Sequence, residues 1–183
     1  MEKTYIPKRF KGRTGYYIFV DRFCRAEKEI PLIEGRRMKQ WNDAMPDWWP
    51  DSDGEYRNQY FYGGNLQGII QILEHFSELS IDLLYLSPIS KTNTSHHYDV
   101  GDQREIDPYI GTWEDFITLC YEAHKRKMLI AVDLVFNHMG AKCEFFQKAL
   151  AGEEKYRKWF EWDERGNPVY WFCFKDMPQC NKL

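Results

Sequence analysis

The chain has 183 residues, 43% of them hydrophobic and 29% charged, which is the composition of one globular domain with room for a sizeable core. Lys and Arg number 25 against 28 Asp and Glu, a net charge of -3, so there is no electrostatic footprint for nucleic acid or an anionic membrane surface. Aromatic residues make up 17% and include seven Trp, which excludes a disordered chain and suits either core packing or stacking on flat apolar faces such as sugar rings.

The first ten residues (MEKTYIPKRF) lack the apolar stretch and small-residue cleavage site of a signal peptide. The longest apolar runs, 81–89 and 128–136, are too short to span a bilayer. Five cysteines, Cys24, Cys120, Cys143, Cys173 and Cys180, show no metal-ligand spacing. Their odd number, with no leader, points to free thiols in a reducing cytoplasm and away from zinc.

Residues 15–20 (GYYIFV) are aromatic and β-branched and predict a strand. Residues 36–58 are polar and rich in turn formers, which predicts a long loop, and long loops in compact domains are functional or mobile. A helix is expected from about Asn65, with Leu66, Ile69, Ile70, Leu73, Phe76 and Leu79 on one apolar stripe. Residues 81–88 (IDLLYLSP) have the signature of a buried strand ended by proline. After a polar stretch over 90–107, Thr112 is placed to cap a helix, with Asp115 three residues on as an acidic version of the capping box. Residues 128–136 (MLIAVDLVF) predict another buried strand. The order strand, helix, strand, helix, strand implies an α/β fold with a parallel sheet. From Met139 the pattern breaks into one or two charged helices and an aromatic, loop-like end with a turn at residues 165–168.

Parallel α/β folds bind ligands at the carboxyl ends of their strands. Three polar stretches occupy such positions, 21–25, 87–107 and 137–140, and the densest is SHHYDVGD over 95–102. That cluster reads either as a polar site or as a solvated loop. Asp133 falls inside an apolar strand, where an ionised carboxylate must find a partner. A buried structural ion pair or hydrogen bond is the favoured account of it over a functional role.

Several of these segments together resemble the α-amylase family, glycoside hydrolase family 13. Residues 133–138 (DLVFNH) are similar to the D-x-x-x-N-H motif of its third strand, and 17–23 (YIFVDRF) to its first strand, Y-Q-I-F-P-D-R-F. Residues 61–68 (FYGGNLQG) resemble F-x-G-G-D-L-x-G, and 84–89 (LYLSPI) the second strand. Residues 96–99 (HHYD) resemble H-x-Y-D, 106–112 (IDPYIGT) resemble I-D-P-x-x-G-T, and 177–181 (MPQCN) resemble M-P-K-L-N. The likeness runs from about Gly15 onward and is nearest to the neopullulanase and maltogenic-amylase type.

The resemblance implies the amino-terminal part of a (β/α)8 TIM barrel, with about three β/α units over residues 1–138 and the beginning of an inserted domain B over 139–183. It implies a ligand built from α-linked glucose, an α-glucan or maltooligosaccharide. By motif position Tyr98 stacks on the glucose at the cleavage subsite, His138 bonds the same sugar, and His96 and Asp99 lie beside it, with His97 the variable position. Asp133 is implied as a supporting residue, not as acid or nucleophile. No cofactor is implied with certainty. Calcium is the one ion brought in, with Asn137 as a ligand, while the calcium loop of the neopullulanase branch is weakened here by residues 24–29 (CRAEKE) and by Asn65 where the family has Asp.

Retaining glycosidases need two carboxyl groups about 5 Å apart. The family carries these on its fourth and fifth strands, and no matching motif occurs in this sequence, so the nucleophile, acid/base and stabiliser are expected beyond Leu183. Two readings follow: a catalytically incomplete part of a glucan hydrolase or transglycosylase, or a natural non-catalytic chain that binds glucan or completes a partner. Either leaves open sheet edges, which favour self-association.

Overall fold

The computed structural model describes residues 7–45, 58–172 and 174–182. Its central sheet holds three parallel strands, β1 (Gly15–Ile18), β4 (Leu83–Leu86) and β7 (Leu129–Val132), in the order β1-β4-β7. Gly15 aligns with Leu83 and Leu83 with Leu129, so the three strands start level and end level. Two short strands between them, β2 (Arg37–Met38) and β3 (Tyr60–Phe61), pair in parallel. Another two, β5 (Ser90–Lys91) and β6 (Asp102–Ile106), pair antiparallel around an irregular register.

The expected first helix is two, α1 (Leu66–Gln71) and α2 (Leu73–Glu78), divided at Ile72. Asn65 starts α1 by accepting the Gly68 N–H on its side-chain oxygen over 2.8 Å. Helix α3 (Trp113–Lys125) begins with the full capping box read from the sequence, Thr112 and Asp115 bonding each other's backbone. Leu84, Leu86 and Ile18 face these helices and join Leu66, Ile69, Leu73, Phe76, Leu119 and Ala123 in one buried core. Strand, two helices, strand, helix, strand is the sequence of a (β/α)8 barrel's amino-terminal part, as the resemblance implies.

The apolar run 128–136 is strand only over β7. Leu134 and Phe136 beyond it are exposed, Phe136 at 73%. Hydrophobicity therefore predicted too long a strand: beyond Val132 the chain leaves the sheet, and these two side chains line a cleft instead of joining the core. The opposite sheet face is likewise open: Tyr17 and Tyr85 meet edge-on at 5.3 Å and both are exposed.

Past residue 138, α4 (Glu144–Leu150) and α5 (Glu154–Arg157) pack with the aromatic end of the chain. Cys143, Phe146, Ala149 and Phe160 make a second small core, separate from the first. Short antiparallel bridges, His138 with Gln179 and Phe160 with Cys180, tie this unit together. The long loop expected over 36–58 falls partly outside the described residues, at 46–57, and the part that is described carries β2. Among the described residues no helix is long and apolar enough to cross a membrane.

Candidate functional site

The level strand ends bring three side-chain positions together. Ser87 N–H donates to Ile18 O over 2.8 Å, and its hydroxyl oxygen accepts the Val20 N–H over 3.1 Å. The Asp133 N–H donates to Leu86 O over 2.9 Å as the last rung of the sheet. Its carboxylate stands at the carboxyl end of β7 and accepts the Tyr98 hydroxyl over 2.8 Å. Burial first, then hydrogen bonds involving Tyr17 and Asp133, push the Tyr98 phenol far above its ordinary value, so it stays a protonated donor.

Tyr98 is presented by the connection between β5 and β6. Asp99, buried at 4% exposure, anchors that connection: the Thr92 and Thr94 hydroxyls donate to its carboxylate, and the Asn93 N–H does so over 3.2 Å. The Tyr98 N–H donates to His96 Nδ1 over 3.0 Å. A backbone N–H only donates, so that nitrogen is unprotonated and the proton sits on Nε2, 3.1 Å from the Thr94 hydroxyl oxygen. The Thr94 proton already goes to Asp99, so the assignment is self-consistent. Burial is the largest influence on His96 and lowers its pKa, against the opposing charges of Asp99 and Asp176. His97 takes a left-handed backbone (φ 62°), which turns it away from the cleft. Its Nδ1 lies 3.2 Å from Ser90 O, and its buried Nε2 has no hydrogen-bond partner among the described residues.

His138 closes the other side. Its Nε2 lies 3.1 Å from Tyr98 O, an acceptor, so Nε2 carries the proton. Nδ1 is left with only a long 3.4 Å approach from the Asn137 amide. The ring stacks on Trp171 with centroids 5.1 Å apart and planes 23° apart. Burial lowers the His138 pKa and keeps the ring neutral near pH 7, although the Tyr98 carbonyl and Asp176 oppose this. Gly140 fixes how closely these parts approach: its N–H donates to Val100 O over 2.8 Å, and an added Cβ would lie 2.4 Å from Asp99 O. Only glycine fits there.

Beneath the site lies a buried ion pair. Arg36 donates two hydrogen bonds to Asp107, at 2.7 and 2.5 Å, and one to Thr92 O. Its guanidinium lies between the Phe61 and Tyr109 rings, at 4.7 and 4.5 Å from their centroids. Burial would raise the Asp107 pKa, but Arg36 and its other partners outweigh burial and hold the carboxyl below its usual value. Because Thr92 bonds both Arg36 and Asp99, this pair reaches the Tyr98 loop through one residue.

The resemblance brings in calcium at Asn137 and a weakened second site at residues 24–29 and Asn65. Among the described residues no three His, Cys, Asp or Glu side chains gather where they could hold a metal. The Asn65 amide is used up on Ala26, Gly63 and Gly68. Asn137 accepts the Cys180 N–H on its backbone oxygen and sets its side-chain amide toward His138. No step here runs through a metal.

His96, Tyr98, Asp99, Asp133, Asn137 and His138, all singled out from the sequence, line one open cleft of about 1070 Å³. Sequence reading missed Trp171, Phe174, Lys175 and Asp176, which line the same cleft, and Arg36, which bonds Thr92 and Asp107. The aromatic density of residues 170–174 was the only available signal for the two aromatics.

A family model described as alpha amylase, catalytic domain, matches residues 7–177. The chain is 36% identical over 167 residues to Alpha-amylase 2 of Dictyoglomus thermophilum, covering 91% of this chain and 26% of that protein. It is 34% identical over 184 residues to a cyclomaltodextrinase of Geobacillus thermopakistaniensis, covering 97% and 29%. Among solved structures, the cyclic alpha-maltosyl-(1→6)-maltose hydrolase of Arthrobacter globiformis in complex with maltose superposes with a TM-score of 0.78 at 30% identity, covering 93% of this chain and 38% of that one. The chain thus spans under a third of those two curated relatives.

Proposed function

This chain belongs to the α-amylase family, and we propose that it forms one wall of an α-glucan cleft, holding a glucose unit that it does not itself cleave. On this reading it is the amino-terminal portion of a retaining glycoside hydrolase acting on α-1,4- or α-1,6-linked glucans such as starch, maltodextrin, pullulan or cyclodextrin. The relatives' names support that class, through cyclomaltodextrin in one and a maltose complex in another. Residues up to 138 belong to the barrel and residues 139–183 begin the inserted domain, which agrees with their separate small core. Four described cysteines are free thiols, which suits the cytoplasm.

The observation that carries the reading is the Tyr98–Asp133 hydrogen bond at the strand ends, in a cleft that His138 also lines. The Tyr98 ring offers an apolar face to the C–H side of a pyranose, and Asp133 fixes that ring's angle. His138 Nδ1 is the ring nitrogen left to accept a sugar hydroxyl. Asp99 and His96 hold Tyr98 in place rather than touch the sugar. Hydrolysis needs a nucleophile and an acid/base about 5 Å apart, and this reading assigns them to the part of the relatives that the chain does not span.

Titration with maltohexaose, followed by NMR chemical shifts, tests this. Saturable millimolar binding that Tyr98→Ala abolishes, with no reducing ends released, is expected. Binding that survives Tyr98→Ala, or hydrolysis by the chain alone, would contradict it.

A further inference from the structure

We infer that His97, the motif position to which the resemblance gives no role, is a positioning residue of the sugar site: its buried imidazole holds the backbone end of Tyr98 so that the ring faces the sugar. The inference rests on the glucan reading above and deepens it by naming what seats the stacking ring.

His96 and Tyr98 line the cleft, with ring centroids 6.0 Å apart. His97 between them is only 1% exposed and points elsewhere. The left-handed backbone at His97, φ 62°, makes this turn. That conformation is uncommon for a bulky residue and persists only where the surroundings hold it. The imidazole must therefore be anchored by its contacts.

Three parts of the fold supply those contacts. His97 Nδ1 lies 3.2 Å from Ser90 O in β5 and 3.9 Å from the Asp107 carboxylate just past β6. Both neighbours only accept, so Nδ1 carries the proton. The ring meets Phe61 of β3 edge to face, with centroids 6.2 Å apart and planes at 83°. Asp107 is itself fixed by Arg36 and by the Tyr109 N–H. The bonds from Thr92, Asn93 and Thr94 to Asp99 join residues no more than seven apart, so they shape the loop internally. His97 instead seats the loop on β3 and on the buried Arg36–Asp107 pair. Asp133 holds the far end of Tyr98, at its hydroxyl, and His97 holds the near end, at the backbone. A ring fixed at both ends loses little freedom when a pyranose stacks on it.

The test compares two substitutes for the imidazole in the whole chain, by NMR titration with maltohexaose. Asparagine carries an amide N–H where Nδ1–H stands and tolerates a left-handed backbone, whereas glutamine is nearer in volume but reaches toward Nε2. His97→Gln should weaken binding roughly three- to tenfold, the worth of one aromatic stack. Its Tyr98 and His96 resonances should move in the sugar-free protein, while those of Leu66 and Leu119 in the core stay. His97→Asn should rescue most of the lost affinity. A space-filling role gives the reverse order, with glutamine the better substitute. Wild-type affinity in His97→Gln, or equal weakening in both variants, overturns the inference. Should His97→Gln not fold, His97→Gly takes φ 62° freely and deletes the anchor, and wild-type affinity there overturns the inference as well. Binding that survives Tyr98→Ala, or a wild type that does not bind maltohexaose, overturns the glucan reading instead, while the sugar-free Tyr98 resonances still test the positioning role.

Discussion

The Tyr98 hydroxyl donates to the Asp133 carboxylate over 2.8 Å, although the two residues lie 35 positions apart. One comes from the β5–β6 connection and the other from the end of β7, so the bond records how the loop is seated on the barrel. Tyr98→Phe keeps the ring and deletes the bond. It should cost about 1–2 kcal/mol, because Asp133 loses a partner in a half-buried setting. Urea unfolding reads this directly, and an unchanged midpoint with an unchanged slope would mean the pair adds no stability.

Arg36 and Asp107 form the buried pair, with side chains 3% and 0% exposed. Arg36→Ala leaves that carboxylate without its cation and should destabilise the chain by about 3–5 kcal/mol. The Asp107 pKa is depressed in the fold, so its contribution is present above its unfolded value of 3.8 and is lost as the pH falls through the lower folded value. Denaturant midpoints measured between pH 6 and pH 2 should drop in the wild type. If the drop is equally large in Arg36→Ala, the pair is not its source.

His96 and His138 are both shifted below 6.5, burial being the first cause in each. Depressed values mean that the neutral rings are favoured in the fold. The stability they contribute is present above pH 6.5 and is lost as pH falls below it. Protonation of His96 Nδ1 also breaks the bond from the Tyr98 N–H. The Tyr98 amide resonance should therefore move as the pH is lowered from 7 to 5, and maltohexaose affinity should fall with it. Affinity that holds steady while the two imidazole resonances themselves titrate would remove both imidazoles from the binding account.

The outer strands of the central sheet, β1 and β7, each leave one edge unpaired within that sheet, and Tyr17, Tyr85, Leu134 and Phe136 are exposed. Such edges template pairing with another chain. Light scattering at rising concentration should give a dimer or larger species, with Leu134→Lys and Phe136→Lys shifting it toward monomer. A monomer at every concentration would contradict this expectation.

Much of this was legible in the sequence because local chemistry decides it. Thr112 and Asp115 specify a helix start within four residues, and the run through Leu84 and Leu86 had to be a strand buried against helices. Other features were hidden because they depend on what the fold brings near. Arg36 sits in a segment that reads as polar loop, and nothing local says that Asp107 and two aromatic rings close around it. Leu134 and Phe136 read as core, yet both are exposed among the described residues. Trp171 and Phe174 read only as aromatic residues in an irregular end until the fold brings them into the cleft that Tyr98 lines.

The central claim is that a glucose unit rests on Tyr98 between Asp133 and His138. The most direct measurement is a crystal structure of the chain soaked with maltohexaose. The account predicts a pyranose ring stacked on Tyr98 with a hydroxyl in hydrogen-bond reach of His138 Nδ1. A sugar bound elsewhere, with this cleft empty at saturating ligand, would contradict it.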